Sequence, residues 1–276
     1  MNSFSYILKR MRTTNLSDGT KVYCLKAPEA KMLDHHVEGY FQHGISIKDD
    51  DIIFDVGANI GIFGIRATQK HQNIKIYCFE PIPDIADVLR QNATSLSNGG
   101  MIVKQCGLSD APGNAEFTYF PNTPALSTSL PDDWEHNPKA FQNAVKGTMR
   151  NPPREMRWMK LIPTFAAPLI ANHLLKGKKQ VPCELKTLSS VIEEEQIPKI
   201  DLLKVDCEGA ELKVLQGISS KHWEMIQSAV IEVHDLDGRL ETIKDLLAQN
   251  GFGPIHAERE QGLENTKMYN LYATRA

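Results

Sequence analysis

The chain has 276 residues, 41% of them hydrophobic and 24% charged, with a formal net charge of -3. That composition suits one soluble globular domain with room for an insertion, and it gives no global charge to attract nucleic acid. Five widely spaced cysteines, without a CxxC pair, argue against both a disulfide framework and a structural zinc site.

No apolar run is long enough for a signal peptide or a membrane span, so a cytoplasmic protein is expected. Along the chain, residues 1–48 form a lead with a helix expected over 28–43. A short apolar strand follows at 51–56, then a turn and a helix over 60–70. A second strand, "IKIYCFE", ends at Glu80, and a second helix, 82–96, places Ile82, Ile85 and Leu89 on one face. "MIVKQCGLS" reads as a third strand. Strand, helix, strand, helix, strand is the grammar of a parallel sheet covered on both faces.

The pattern stops between 121 and 180, where eight prolines and several large apolar residues occur. This segment reads as an inserted, partly helical cap. The pattern resumes with a strand at 200–206, a short helix at 209–218, a strand at 228–234 and a helix at 239–251. Residues 255–260 and 267–275 then read as a closing pair of strands. The expected fold is α/β, a seven-stranded and mostly parallel sheet in a single domain spanning 1–276.

"FDVGANIGIFG" (54–64) stands at the carboxyl end of the first strand, where such sheets bind ligands. It matches neither the phosphate-loop pattern GxxxxGK[ST] nor the dinucleotide pattern GxGxxG. Asp55 would also repel a pyrophosphate and suits a ligand with a cationic part. Glu80, ending the next strand, is placed to accept both hydroxyls of a ribose. Ribose, cation and no phosphate together describe S-adenosylmethionine.

"FDVGANIG", "FEPIPD", "LLKVDCEGAE" and "VIEVH" resemble the FkbM family of S-adenosylmethionine-dependent methyltransferases over about 36–120 and 183–275. The resemblance implies the class I methyltransferase (Rossmann-like) fold and O-methylation of a small or medium-sized metabolite in natural-product pathways. It implies a cofactor loop of Asp55, Gly57, Asn59 and Gly61. It places the ribose on Glu80, Pro81 and Ile82 beside the adenine, and Gly107, Leu108 and Ser109 around the rest of the adenine pocket.

An aliphatic hydroxyl must lose its proton during methyl transfer, which asks for a base or a metal. Asp206, Glu208 and His234 lie at the ends of later strands. His234 is the better general base on its ordinary pKa, with Asp206 or Glu208 orienting it or binding the acceptor. A second reading holds a divalent ion, Mg2+ by its oxygen ligands, on Asp206, Glu208 and Asp235. A third gives all of them structural roles. His36 and Tyr40, four residues apart, could share a helix face toward the cofactor.

Segment 121–180 holds nine Lys or Arg against four Asp or Glu. That suits an acidic carrier protein delivering a tethered substrate, an anionic small substrate, or a plain solvated surface. Trp134, Trp158 and Phe165 are candidates for an apolar acceptor pocket. No nucleic acid or membrane partner is expected. The competing functions are N-methylation, a non-catalytic nucleotide-binding module, and an NAD-dependent oxidoreductase. The acceptor, the oligomeric state and whether the chain stands alone or was part of a larger enzyme are open at this stage.

Overall fold

The computed structural model describes residues 11–129, 138–150, 152, 154–259 and 267–275. A short hairpin opens it, β1 (Arg12–Asn15) against β2 (Lys21–Cys24), followed by α1 (Ala27–Gly39). The sheet and its helices then alternate: β3 (Ile52–Val56), α2 (Ile62–Lys70), β4 (Lys75–Phe79), α3 (Pro83–Leu96) and β5 (Met101–Lys104). After the insertion come α6 (Leu188–Glu194), β9 (Leu202–Val205), α7 (Glu211–Gln216), α8 (Ser220–Trp223), β10 (Ser228–His234), α9 (Arg239–Gln249), β11 (Ile255–Arg259) and β12 (Met268–Thr274).

The sheet order is β11-β12-β10-β9-β3-β4-β5. Four neighbouring pairs, from β10 to β5, are parallel, and β12 runs antiparallel to both β10 and β11. The seven-stranded, mostly parallel sheet expected from the sequence is therefore present. The central strands β3, β4, β9 and β10 alternate their side chains between two buried faces, which explains why they read as nearly unbroken apolar runs. Ile53, Ile76, Cys78, Leu202, Val230 and Tyr272 pack on one face with α1, α2 and α3. Phe54, Val56, Phe79, Leu203, Val205 and Ile231 pack on the other with α6 to α9.

Three elements differ from the sequence reading. The lead is not wholly helical, because the β1–β2 hairpin precedes α1. Its strands have four residues each, too short for a period to register. It is tied to the core by Asn92, which is fully buried. The Asn92 amide accepts from the Tyr23 N–H at 2.8 Å and donates to the carbonyls of Tyr23 and Ile60.

The expected strand 101–109 is two strands. β5 ends at Lys104, where the Cys106 N–H turns back to the Lys104 carbonyl. β6 (Gly107–Leu108) joins a second sheet with β7 (Gly113–Tyr119) and β8 (Lys179–Lys186), in the order β6-β8-β7. A side chain at 107 would stand 2.8 Å from Leu185 Cδ2, so glycine lets β6 lie close against β8. The helix α6 also went unread.

Between β7 and β8 lie α4 (Pro138–Arg150), a 3-10 stretch (Arg154–Leu161), a 3-10 turn (Thr164–Ala166) and α5 (Ala167–Leu175). They share a small core of Phe141, Val145, Met149, Met159, Ala167 and Ala171, separate from the two faces of the main sheet. The chain leading into them is pinned to α1, since the Ala125 N–H donates to Glu29 Oε1 at 2.8 Å. α1 in turn is held on the sheet by the Tyr272 hydroxyl, which donates to the Gly39 carbonyl at 2.7 Å. Among the described residues no helix is long and apolar enough to cross a membrane.

Candidate active site

A cavity of about 1770 Å³ opens at the carboxyl ends of β3, β4, β9 and β10, under α1 and the insertion. Typical small-molecule sites occupy roughly 300–1,000 Å³. The space therefore suits two ligands side by side better than one.

The turn after β3 forms part of the wall. The N–H groups of Gly57 and Ala58 both reach the Phe79 carbonyl at 3.0 Å. Gly57 has φ +77°, and a Cβ there would lie 1.7 Å from the Asp206 carbonyl oxygen. Only glycine lets the ends of β3 and β9 meet this closely. Asn59, at φ 51°, is also on the wall, and its Oδ1 accepts from the Ile60 N–H at 2.8 Å. Gly61 is not on the wall. It caps α2 at φ +85° and faces Leu89 and Met101, so its part is to let the turn pack on the core.

Glu80 lies on the wall and is almost fully buried. Burial pushes its carboxyl up to about 7, against the N–H groups of Ile82 and Asn59 that hold its charged form. The Ile82 N–H donates to Oε1 at 2.9 Å. The Ile82 side chain packs in the core, so Ile82 orients Glu80 and does not line the cavity. Pro81, Gly107, Leu108 and Ser109 do line it.

Asp55 departs from its expected place. It has no exposed surface and is not on the wall. The cation beside it belongs to the protein: Lys204 Nζ lies 2.9 Å from Asp55 Oδ1. In register, Asp55 stands across from Lys204, which stands across from Val230 and then Tyr272, all on the α1 face. Burial raises the Asp55 carboxyl and Lys204 opposes that rise. Lys204 is itself buried. Desolvation would lower its ammonium, but Asp55 and then Asp206 hold it above its ordinary value.

His234 is also off the wall. It is wedged between two carboxylates, with Nδ1 3.3 Å from Glu211 Oε1 and Nε2 3.5 Å from Glu208 Oε2. Burial pulls its pKa down, but the hydrogen bond to Glu211 and the charges of Glu208, Glu211 and Asp206 prevail and raise it to about 9. At neutral pH the ring already carries its proton, so the geometry does not favour it as the base that takes one. Glu211 supplies most of this effect from the first turn of α7.

Asp206 and Glu208 both reach the cavity. The Tyr40 hydroxyl donates to Asp206 Oδ2 at 2.9 Å, and Thr128 Oγ1 donates to the Glu208 carbonyl at 2.8 Å. Asp235, the third oxygen group of the metal reading, instead accepts the Leu240 N–H at 3.1 Å and caps the start of α9. Among the described residues no group of three His, Cys, Asp or Glu is arranged to hold an ion. Cys207 borders the cavity, with a thiol that burial pushes well above its ordinary value, which does not suit a nucleophile.

The sequence reading missed Lys204, Glu211 and Glu232. Lys204 and Glu232 sit in the middle of the apolar runs "LLKVD" and "VIEVH" and are buried there. A charge inside a two-sided buried strand was the available signal.

The far side of the cavity is apolar, walled by Leu126, Phe141, Val145, Trp158, Met159 and Ile162. Trp158 is thus on the wall while Phe165 faces solvent at 82% exposure, and Trp134 lies outside the described residues.

The family model for the methyltransferase FkbM domain matches residues 55–254. The chain is 34% identical to the methyltransferase sdnD of Sordaria araneosa, over 86% of this chain and 87% of that one. It is 31% identical to the 31-O-demethyl-FK506 methyltransferase FkbM of Streptomyces tacrolimicus, over 96% and 97%. It is 29% identical to part of the AMB antimetabolite synthetase AmbE of Pseudomonas aeruginosa, over 95% of this chain and 12% of the synthetase.

Proposed function

The chain belongs to the FkbM family of methyltransferases, and from that premise we propose that it moves the methyl group of S-adenosylmethionine to a hydroxyl oxygen of a natural-product small molecule. It is an S-adenosylmethionine-dependent enzyme. The observation that carries the acceptor reading is the cavity itself, with buried carboxylates at the strand ends on one side and an apolar wall from the insertion on the other.

The residues present fit the cofactor. Glu80 offers a buried carboxylate to ribose hydroxyls, and Gly57, whose missing side chain lets its turn close against β9, leaves its backbone on the cavity wall. The cofactor supplies a methyl carbon activated by its sulfonium. The chain supplies placement: the acceptor oxygen must stand about 3 Å from that carbon, in line with the bond that breaks. The insertion walls the acceptor side with apolar side chains. In this reading Glu208, on the cavity wall, receives the hydroxyl proton, and His234, with Nε2 3.5 Å from its Oε2, orients the carboxylate.

The basic insertion supports delivery of the acceptor by an acidic carrier protein. A 29%-identical relative in which the matched segment is a small part of a synthetase is consistent with that finer reading.

Calorimetric titration of dialysed protein with S-adenosylhomocysteine and with NAD tests the cofactor. Micromolar binding of the first alone is the expected result, and binding of NAD alone would sink it. Incubation with labelled cofactor and a panel of hydroxylated macrolides tests the acceptor class. Label should appear as an O-methyl group, and label on nitrogen would redirect the assignment.

A further inference from the structure

Among the described residues, the large hydrophobic side chains left exposed are Trp158, Leu161, Phe165 and Leu169, and all of them fall in one short stretch of the insertion. The fold does not use them. The insertion closes its own core with Phe141, Val145, Met149, Met159, Ala167 and Ala171 and leaves these side chains outside it. The charge around them has one sign. From Met156 to Cys183 the sequence holds no Asp or Glu, whereas Arg157, Lys160, Lys176, Lys178 and Lys179 occur there and are exposed, in a chain whose net charge is -3. Arg157 directly precedes Trp158, and Lys160 directly precedes Leu161.

Large apolar groups set among charges of one sign have the composition of a contact surface. The surface also has a telling position. Trp158 and Leu169 line the cavity although they are 56% and 72% exposed, so they stand at its mouth. Whatever covers them faces the way in to the acceptor side.

The chemistry of the surface selects its occupant. A second copy in the same orientation would set cations against cations. A lipid anchor of this composition is normally one continuous amphipathic helix. Here the apolar groups are spread over the 3-10 stretch (Arg154–Leu161), the 3-10 turn (Thr164–Ala166) and the nine-residue α5. A small acidic protein meets both demands, with carboxylates for the cations and a modest apolar face for Leu161 and Phe165.

We infer that the exposed face of 157–169 is the docking surface for an acidic carrier protein, and that the carrier's prosthetic arm enters the cavity between Trp158 and Leu169. The inference deepens the carrier reading above and rests on it. Leu161 and Phe165 are the apolar anchors, and Arg157 and Lys160 supply attraction and orientation.

The test is calorimetric titration of a small, strongly acidic acyl carrier protein into the chain saturated with S-adenosylhomocysteine. The carrier is used in its apo form and with the phosphopantetheine arm attached. The form with the arm should bind with the micromolar affinity of a small transient interface, more tightly than the apo form and more weakly as salt rises. Two double variants divide the surface. Arg157→Glu with Lys160→Glu reverses its charge, and Leu161→Ser with Phe165→Ser removes its anchors. Each should weaken carrier binding by about tenfold or more. Neither should alter S-adenosylhomocysteine affinity, because these side chains are not on the cavity wall.

No binding of the carrier would overturn the inference, and so would full affinity in either double variant. Full affinity without the anchors would mean unspecific attraction between opposite charges. Equal affinity of the apo form would overturn entry of the arm. Flotation with phosphatidylcholine vesicles containing phosphatidylserine and sedimentation of the chain alone test the other occupants. Vesicle binding or self-association that disappears in Leu161→Ser with Phe165→Ser would give the surface to lipid or to a second copy, and would overturn the inference. A chain that failed to bind S-adenosylhomocysteine would bring down the cofactor reading itself, a separate and distinguishable failure.

Discussion

The two sides of the cavity are built in opposite ways. On the strand-end side, charged groups are buried against the sheet and locked by one another: Asp55 with Lys204, His234 with Glu208 and Glu211. On the insertion side, a separate core of six buried residues stands under a surface where Trp158, Leu161, Phe165 and Leu169 remain 56–87% exposed. The first side is built on the strands of the main sheet. The second has a core of its own, apart from the two faces of that sheet. A family that keeps one cofactor and varies its acceptor needs this division.

The sharpest way to break the comparison is to remove the cation from the strand-end side. Lys204→Met would leave Asp55 buried with no counter-ion. Breaking a buried pair in this way costs about 3–5 kcal/mol. Thermal unfolding of the variant should show a loss of that size. A variant as stable as the wild type would mean that the pair is dispensable, and that the rigidity of this side has another source.

Gly57→Ala should come next. The added Cβ would meet the Asp206 carbonyl at 1.7 Å on a backbone of positive φ. Strain and overpacking each cost about 1–3 kcal/mol. Because the clash lies between the cofactor loop and β9, binding of S-adenosylhomocysteine should fall together with the melting temperature. A stable variant that still binds would show that the two strand ends separate easily.

A smaller effect is expected from pH. His234 has its pKa raised from 6.5 to about 9 in the folded chain by the carboxylates around it, despite its burial. The folded state therefore binds the proton more tightly than the unfolded state. The stabilisation is fully present below about pH 6.5 and is lost as pH rises through about 9. Stability measured by urea unfolding should decline across that window, and His234→Gln should flatten the decline. An unchanged slope in the variant would place the titration elsewhere.

Much of the strand-end side was legible in the sequence. β3, β4, β9 and β10 announce themselves as apolar runs because both their faces are covered, and Glu80, Asp206 and Glu208 stand where those runs stop. What was not legible depends on contacts distant in sequence. Asp55 was read as facing a ligand because its cation, Lys204, comes from a strand far along the chain. His234 was read with its ordinary pKa because Glu211 looked like part of a helix. Tyr40 meets Asp206 only after α1 docks on the sheet. The insertion was legible as a partly helical cap but not in the bounds of its helices, since its proline-rich stretches carry no sustained period. β8 runs through Pro182 on the three-stranded side sheet, away from the main one.

The insertion side offers the smallest effect on the domain, and the contrast within it is informative. Phe141 is buried in the separate core, whereas Leu161 is 87% exposed. Phe→Ala substitutions in a core cost about 3–5 kcal/mol. If the insertion opens as its own unit, Phe141→Ala should spend that loss locally, giving faster proteolysis within 138–175 while the main unfolding transition and S-adenosylhomocysteine binding barely move. Leu161→Ser should change stability by no more than about 0.5 kcal/mol, because little apolar contact is lost. A fall in the main transition with Phe141→Ala would show that the two sides unfold as one unit. The adaptable side would then be as firmly built as the other, and freedom to accept different substrates would have to come from single side chains on the cavity wall.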